Sequence, residues 1–212
     1  MAKIDLARRA EIGRERRART RAQILEAGAS MLAERPPEGL TVDALVEAAG
    51  VAKGTFYYHF QSIDELVAAV GACLDESFNE LLTPARIELN DPVDRLSFAF
   101  TQFLEKASSD AGWARLVVQS AHTSTEFGRG VRAKLKADIS EALHQGRMSL
   151  QDVELAVDIV MGIWLQVTRG ILDRGTRPET TRQAVEAVLG ALGVTRSTSS
   201  SNAGGGRKGS GK

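Results

Sequence analysis

Residues 41–60 read TVDALVEAAGVAKGTFYYHF, and the fold assignment turns on them. Thr41 can cap a helix whose first turn holds Asp43, an acid at the positive end of the helix dipole. Gly50 supplies the residue at positive φ that a tight turn needs, because it has no Cβ to clash. A second short helix covers about residues 52–59, and Leu45, Ala49, Val51 and Phe56 are placed to pack the pair together. Two helices of about eight residues joined at a glycine make a helix-turn-helix, whose second helix can enter a DNA major groove. Its outward face would carry Lys53, Thr55, Tyr57, Tyr58 and His59, donors and flat rings suited to phosphates and base edges. The same spacing fits an ordinary helical hairpin whose tyrosines sit half-buried with wet hydroxyls.

Outward from this stretch the apolar spacing stays helical. Ile24, Leu25, Gly28, Met31 and Leu32 mark a first amphipathic helix that stops at Pro36 and Pro37. Ser62 and Glu65 form a capping box for a longer helix through Leu66, Val70 and Leu74 to about residue 83. Asp91 before Pro92 opens a helix bearing Leu96, Phe100, Phe103 and Leu104. Helices follow over residues 113–122 and 127–145, where Gly146 ends the run. Ser149 can cap a helix over residues 153–173 that is apolar nearly all round, and a last one covers about residues 179–192. The expected fold is all-α with about nine helices.

Composition agrees. The 212 residues are 43% hydrophobic and 5% aromatic, with 27 Lys+Arg against 27 Asp+Glu. Zero net charge argues against a polybasic chain that holds nucleic acid by bulk charge. The balance is uneven along the chain, however. Residues 1–21 carry eight bases against three acids, residues 195–212 carry four bases and no acid, and residues 22–194 are therefore at −9. The tail RSTSSSNAGGGRKGSGK is Ser/Gly-rich and is expected to be disordered. The single cysteine, Cys73, expected on an apolar helix face as an inert small hydrophobe, can form no intramolecular disulfide. The N-terminus has no secretory h-region, and the apolar run at residues 159–165 falls short of the ~20 residues that cross a bilayer. A cytoplasmic protein without membrane partners is expected.

The first helix, then GLTVDALVEAAGV, AKGTFYYHF and SIDELVAAV in that order, resemble the DNA-binding domain of TetR-type (TetR/AcrR) transcriptional regulators over about residues 21–71. The resemblance implies a basic arm (1–20), a three-helix DNA-binding domain (21–71), a larger helical ligand-binding and dimerisation domain (72–194) and the tail (195–212). It implies a repressor that binds a palindromic operator as a homodimer and is released when a small, largely apolar effector shifts the dimer's population. Carried over by position, Thr41 would meet a phosphate, Lys53 would start the recognition helix, Thr55 and Tyr57 would face bases, and Tyr58 and His59 would face phosphates. The family usually has Ala at Val46 and Lys at Gln61 and Ile63, and the second lysine commonly contacts phosphate. Residues 22–61 hold two bases against five acids, so the arm, with Arg17, Arg19 and Arg21, is expected to supply the missing phosphate or minor-groove contacts.

The resemblance also puts a pocket inside the larger domain. Its apolar candidates are Phe78, Phe100, Phe103, Trp113 and Val117, with Phe127, Met161, Trp164 and Leu165 further along. Polar candidates are Gln119, His122, Gln166 and Thr168, and no charged cluster is expected inside. The last two helices would form a four-helix dimer interface. No enzyme is expected and no cofactor or metal is required. Glu141 and His144 have the Glu-x-x-His spacing of di-iron bundles but lack a second copy, and GRKGSGK at the C-terminus lacks the strand and helix of a phosphate loop. The competing reading is a helical small-molecule or lipid carrier that does not touch DNA.

Overall fold

A computed structural model describes residues 2–123 and 128–194, with the side chains of residues 2–7, 122 and 123 left aside. Among the described residues there are nine α-helices and no strand. In chain order they are α1 (Ala2–Glu34), α2 (Val42–Ala49), α3 (Lys53–His59), α4 (Ile63–Ile87), α5 (Pro92–Ser109), α6 (Ala111–Thr123), α7 (Arg129–His144), α8 (Val153–Arg174) and α9 (Thr180–Ala191). The tail expected to be disordered lies outside the described residues.

Local chemistry sets most of the boundaries. The Thr41 hydroxyl accepts from the Ala44 amide at 3.2 Å, and the Asp91 carboxylate accepts from the Val93 amide at 2.8 Å. The Ser62 hydroxyl accepts from the Glu65 amide at 3.2 Å, while the Glu65 carboxylate reaches back one residue further than a capping box requires, to the Gln61 amide at 2.6 Å. Two expected boundaries change, the cap of α8 and the end of α4. The cap of α8 is Asp152, accepting from the Leu155 amide at 3.0 Å, because Ser149 lies a full turn before the helix. Helix α4 continues past Thr83 and through Pro84, which cannot donate a backbone bond. The basic segment is the start of α1 itself, since its Ala, Arg and Glu residues contain no stop signal before Pro36. Cys73 is exposed, so it is not the buried small hydrophobe expected.

Two hydrophobic cores share one helix. The smaller gathers Ile24, Leu32, Leu45, Phe56 and Phe60 around Leu66, Val67 and Val70 of α4, and Leu116 of α6 closes it. The larger starts on α4 at Phe78 and Leu82 and is filled from α5 to α9. Gly28 lets α1 approach α4, since a Cβ there would lie 2.9 Å from a Leu66 methyl. Arg115 of α6 donates to the Ala33 carbonyl at 3.3 Å, at the end of α1.

At the far end of α4 a buried ion network joins three helices. Asp138 of α7, with its side chain 3% exposed, forms an ion pair with Arg86 of α4 at 2.5 Å and accepts a hydrogen bond from Arg95 of α5 at 2.8 Å. Arg95 also donates to Glu141 and to the carbonyls of Leu89 and Asn90. Burial and repulsion from Arg86 pull the neighbouring Lys134 below its ordinary value, against the opposing pull of Asp75 and Asp138. Removing the central charge leaves Arg86 without its carboxylate and Arg95 with Glu141 alone. Asp138→Asn is expected to lower stability by about 3 kcal/mol in urea unfolding, and a loss below ~1 kcal/mol would mean the network is hydrated rather than buried.

Candidate functional site

The first site is a surface. Helix α2 ends at Gly50, whose φ of 65° and ψ of 33° place it in the left-handed region, and the Val51 amide reaches the Val46 carbonyl at 3.0 Å. This closure fixes the direction in which α3 leaves. Leu45 and Phe56 are fully buried, which turns the rest of α3 outward, while Ala49 and Val51 are half-buried beside them. Tyr57 is 52% and Tyr58 69% exposed, an unusual placement for large rings unless they serve a partner. Lys53 is exposed, and Thr55 and His59 are half-buried.

The basic segment of α1 runs beside this helix. Arg16, Arg17 and Thr20 line one side of an open groove of about 330 Å³, and Gly54, Thr55, Tyr58 and His59 line the other. The arm and the second motif helix thus form one face, as expected for Arg17. Arg16 was not anticipated, although positions 16, 17 and 20 share a helical face. Arg21 has another task, with its guanidinium carbon 5.0 Å above the Phe60 ring, and Arg19 is exposed outside the groove. Lys53 is held by Asp43, Nζ to Oδ1 2.8 Å, and that hydrogen-bonded carboxylate raises the lysine above its ordinary value.

The second site is internal. A cavity of about 390 Å³ lies between α4, α6, α7 and α8. Its aromatic wall is Phe78, Phe103, Trp113 and Trp164, with Phe103 stacked on Trp164 at 4.5 Å and edge-on to Trp113 at 5.1 Å. Val117, Met161 and Leu165 complete the apolar part that the sequence suggested. Phe100 does not line it, because it lies fully buried behind Trp164 with ring centroids 5.5 Å apart. Thr168 does not either, since its buried hydroxyl is spent on the Trp164 carbonyl at 2.8 Å. Gln119 and Gln166 are outside the lining, Gln166 being exposed to solvent. Phe127 and the side chain of His122 fall outside the described residues.

Seven lining residues escaped the sequence reading: Leu74, Ala121, Gly128, Val131 and Gly162, and two that are charged, Asp75 and Arg132. Asp75 of α4 accepts from the amides of Gly130 at 2.8 Å and Val131 at 3.2 Å, so it caps the start of α7. Arg132 pairs with Asp158 at 2.7 Å. Asp75 stands one turn before Phe78, a spacing that places it on the same helix face, and this was the available signal. Among the described residues no group of three metal-ligating side chains occurs, and Glu141 of the Glu-x-x-His pair is engaged by Arg95.

A helix-turn-helix with a basic groove, set on a helical body that encloses an aromatic cavity, defines the class of DNA-binding regulators. The chain belongs to the TetR family: residues 24–70 match the model of bacterial regulatory proteins of the tetR family, and residues 91–202 match the tetracyclin repressor-like C-terminal domain. It is similar to the nucleoid occlusion factor SlmA of Marinomonas sp. (strain MWYL1), 25% identical over 143 residues that make up 68% of this chain and 70% of that one. It also resembles IcaR, the negative transcriptional regulator of the biofilm operon in Staphylococcus aureus (strain Newman), at 21% identity over 57% of this chain and 63% of that protein. In fold it is similar to RolR bound to resorcinol, with a TM-score of 0.70, 22% identity, and coverage of 85% of this chain and 91% of that one. FadR of Bacillus subtilis in complex with stearoyl-CoA gives a TM-score of 0.66 at 19% identity, over 81% and 97% of the two chains.

The Asp43 pair supplies a test on the DNA side. Asp43→Asn releases Lys53 and removes a negative charge beside the groove, so DNA affinity should rise about 3-fold or more at low salt, whereas Lys53→Ala should lower it. Filter binding over a salt series reads both, and an Asp43→Asn variant with unchanged affinity would remove Lys53 from the contact.

Proposed function

We propose that the protein is a ligand-responsive repressor that binds a palindromic operator as a homodimer and lets go when a small, largely apolar effector fills the cavity. The observation that carries this reading is that α4 belongs to both sites: its first half holds the core beneath α3, and Leu74, Asp75 and Phe78 of its second half line the cavity. A shape change around the effector therefore has a direct path to the recognition helix. The domain limits proposed from the sequence, 21–71 and 72–194, divide α4 between its two cores. IcaR is a negative regulator by name, which supports repression.

On this reading Thr41, Lys53, Thr55, Tyr57, Tyr58 and His59 contact the operator, joined by Arg16 and Arg17, with Arg19 exposed nearby. Each protomer would touch DNA through a small basic face while its acidic body stays clear. The dimer would form through α8 and α9. Leu155 is 47% exposed, and Ile159, Ile163, Val185 and Leu189 are only half-buried in the single chain. Helix α8 is long and apolar enough by composition to cross a membrane, with 39% of its most apolar window buried, and a partner protomer would cover much of the remainder. A cytoplasmic setting is part of the proposal.

A mobility shift with the DNA flanking the protein's own gene tests the reading. Specific binding that weakens steeply with salt is expected, and deletion of residues before Arg17 should reduce both affinity and salt slope. No shift even at low salt would favour the carrier reading. Ile163→Glu should yield monomers in sedimentation and cost at least ~10-fold in operator affinity, because two half-sites are no longer linked.

A further inference from the structure

Asp75 is an acid in an otherwise aromatic wall. Its carboxylate takes three hydrogen bonds, from the Gly130 and Val131 amides and from the Asn79 side-chain amide at 3.3 Å. An ionised carboxylate offers about four acceptor positions, so one stays available to a donor in the cavity. The three present donors are uncharged. They are backbone and side-chain dipoles, against which a full positive charge competes well. Arg132, the cation in the cavity wall, is engaged by Asp158, and Arg129 and Lys134 lie along an outer groove that Asp75 also borders, Arg129 with an interaction of its own. Trp113, the partly exposed ring of the aromatic wall, adds attraction for a cation.

The same carboxylate ties α4 to α7. Gly130 makes the approach possible, since a Cβ there would fall 2.8 Å from both the Asp75 and Asn79 side chains. Gly128, at a φ of 74°, leaves room for the Met161 methyl in the same way, at 3.0 Å.

We infer that Asp75 selects effectors that join an aromatic body to a cationic amine, and that the amine takes the carboxylate from the Gly130 and Val131 amides. Effector binding then frees the first turn of α7 from α4, the helix that carries the DNA-binding core. The inference rests on the cavity being the effector site.

Three probes with one ring system isolate the charge: 1-naphthylmethylamine, 1-naphthylmethanol and 1-naphthoic acid. The chain's two tryptophans, Trp113 and Trp164, both line the cavity, so the NMR shifts of their indole N–H groups report occupancy, and calorimetry supplies affinities. The amine is expected to bind about 10-fold tighter than the alcohol, with the acid weakest. Asp75→Asn should bring amine and alcohol within about 2-fold. In the unmodified protein, hydrogen exchange at Gly130 and Val131 should accelerate with the amine and not with the alcohol, a readout that needs no variant to fold. Equal binding of amine and alcohol, or a preference that survives Asp75→Asn, overturns the inference and leaves the cavity as an effector site. If none of the three binds while the protein still shifts its operator, the effector site and the inference fall together and DNA binding stands.

Discussion

The link between inside and outside rests first on α4, which is packed into two cores at once, with α6 bridging the same cores beside it through Leu116 and Val117. Leu66, Val67 and Val70 are buried against α1 and α3, and Phe78 and Leu82 are buried among the helices of the body. A helix of this kind cannot tilt at one end without disturbing the other, because close-packed cores yield by discrete rearrangement and not by gradual deformation. Two fastenings hold its second half: the Asp75 cap on α7 and, three turns on, the Arg86 to Asp138 ion pair. The first borders the cavity and the second is buried away from it. The natural division of labour is a firm anchor at the end of α4 and a releasable one beside the ligand.

The DNA face depends on the same helix less directly. Gly50 and the buried Phe56 aim α3, but Phe60 and the Arg21 above it sit where α1, α3 and α4 converge. Arg16 and Arg17 lie one turn earlier on α1, so the basic side of the groove keeps its register with the recognition helix as long as α1 stays packed on α4. The charge distribution fits this economy of contact. With Asp43 holding Lys53 and five acids among residues 22–61, the groove relies on the arm for much of its positive potential.

What could be read from the sequence was what local chemistry decides. Thr41, Gly50 and Asp91 announce their turns and caps because a cap or a positive φ needs a particular residue within three or four positions. The aromatic wall was legible for a similar reason, since Phe78, Phe103, Trp113 and Trp164 recur at core-facing positions of their helices. Contacts across the chain left no such mark. Asp75 meets Gly130 across 55 residues, and Arg95 meets Asp138 across 43, so nothing in the local sequence announces these pairs. Phe100 and Phe103 are equally apolar and one turn apart on α5, and only the position of Trp164 decides which one faces the cavity. The start of the long α1 carries no such mark either, because a run of Arg, Glu and Ala has no stop signal and no apolar stripe.

The coupling of cavity to recognition helix is open to direct measurement as a distance. In a Cys73→Ser background, a spin label at Ala52→Cys, just before α3, reports the separation of the two recognition helices in the dimer by pulsed electron resonance. In the operator-bound protein the helices should stand about one DNA turn apart, roughly 34–36 Å. Saturating 1-naphthylmethylamine, with occupancy confirmed by the tryptophan indole NMR signals, should move or broaden that distribution by several ångströms in the free dimer. A distribution identical with and without the occupied cavity would contradict the link through α4.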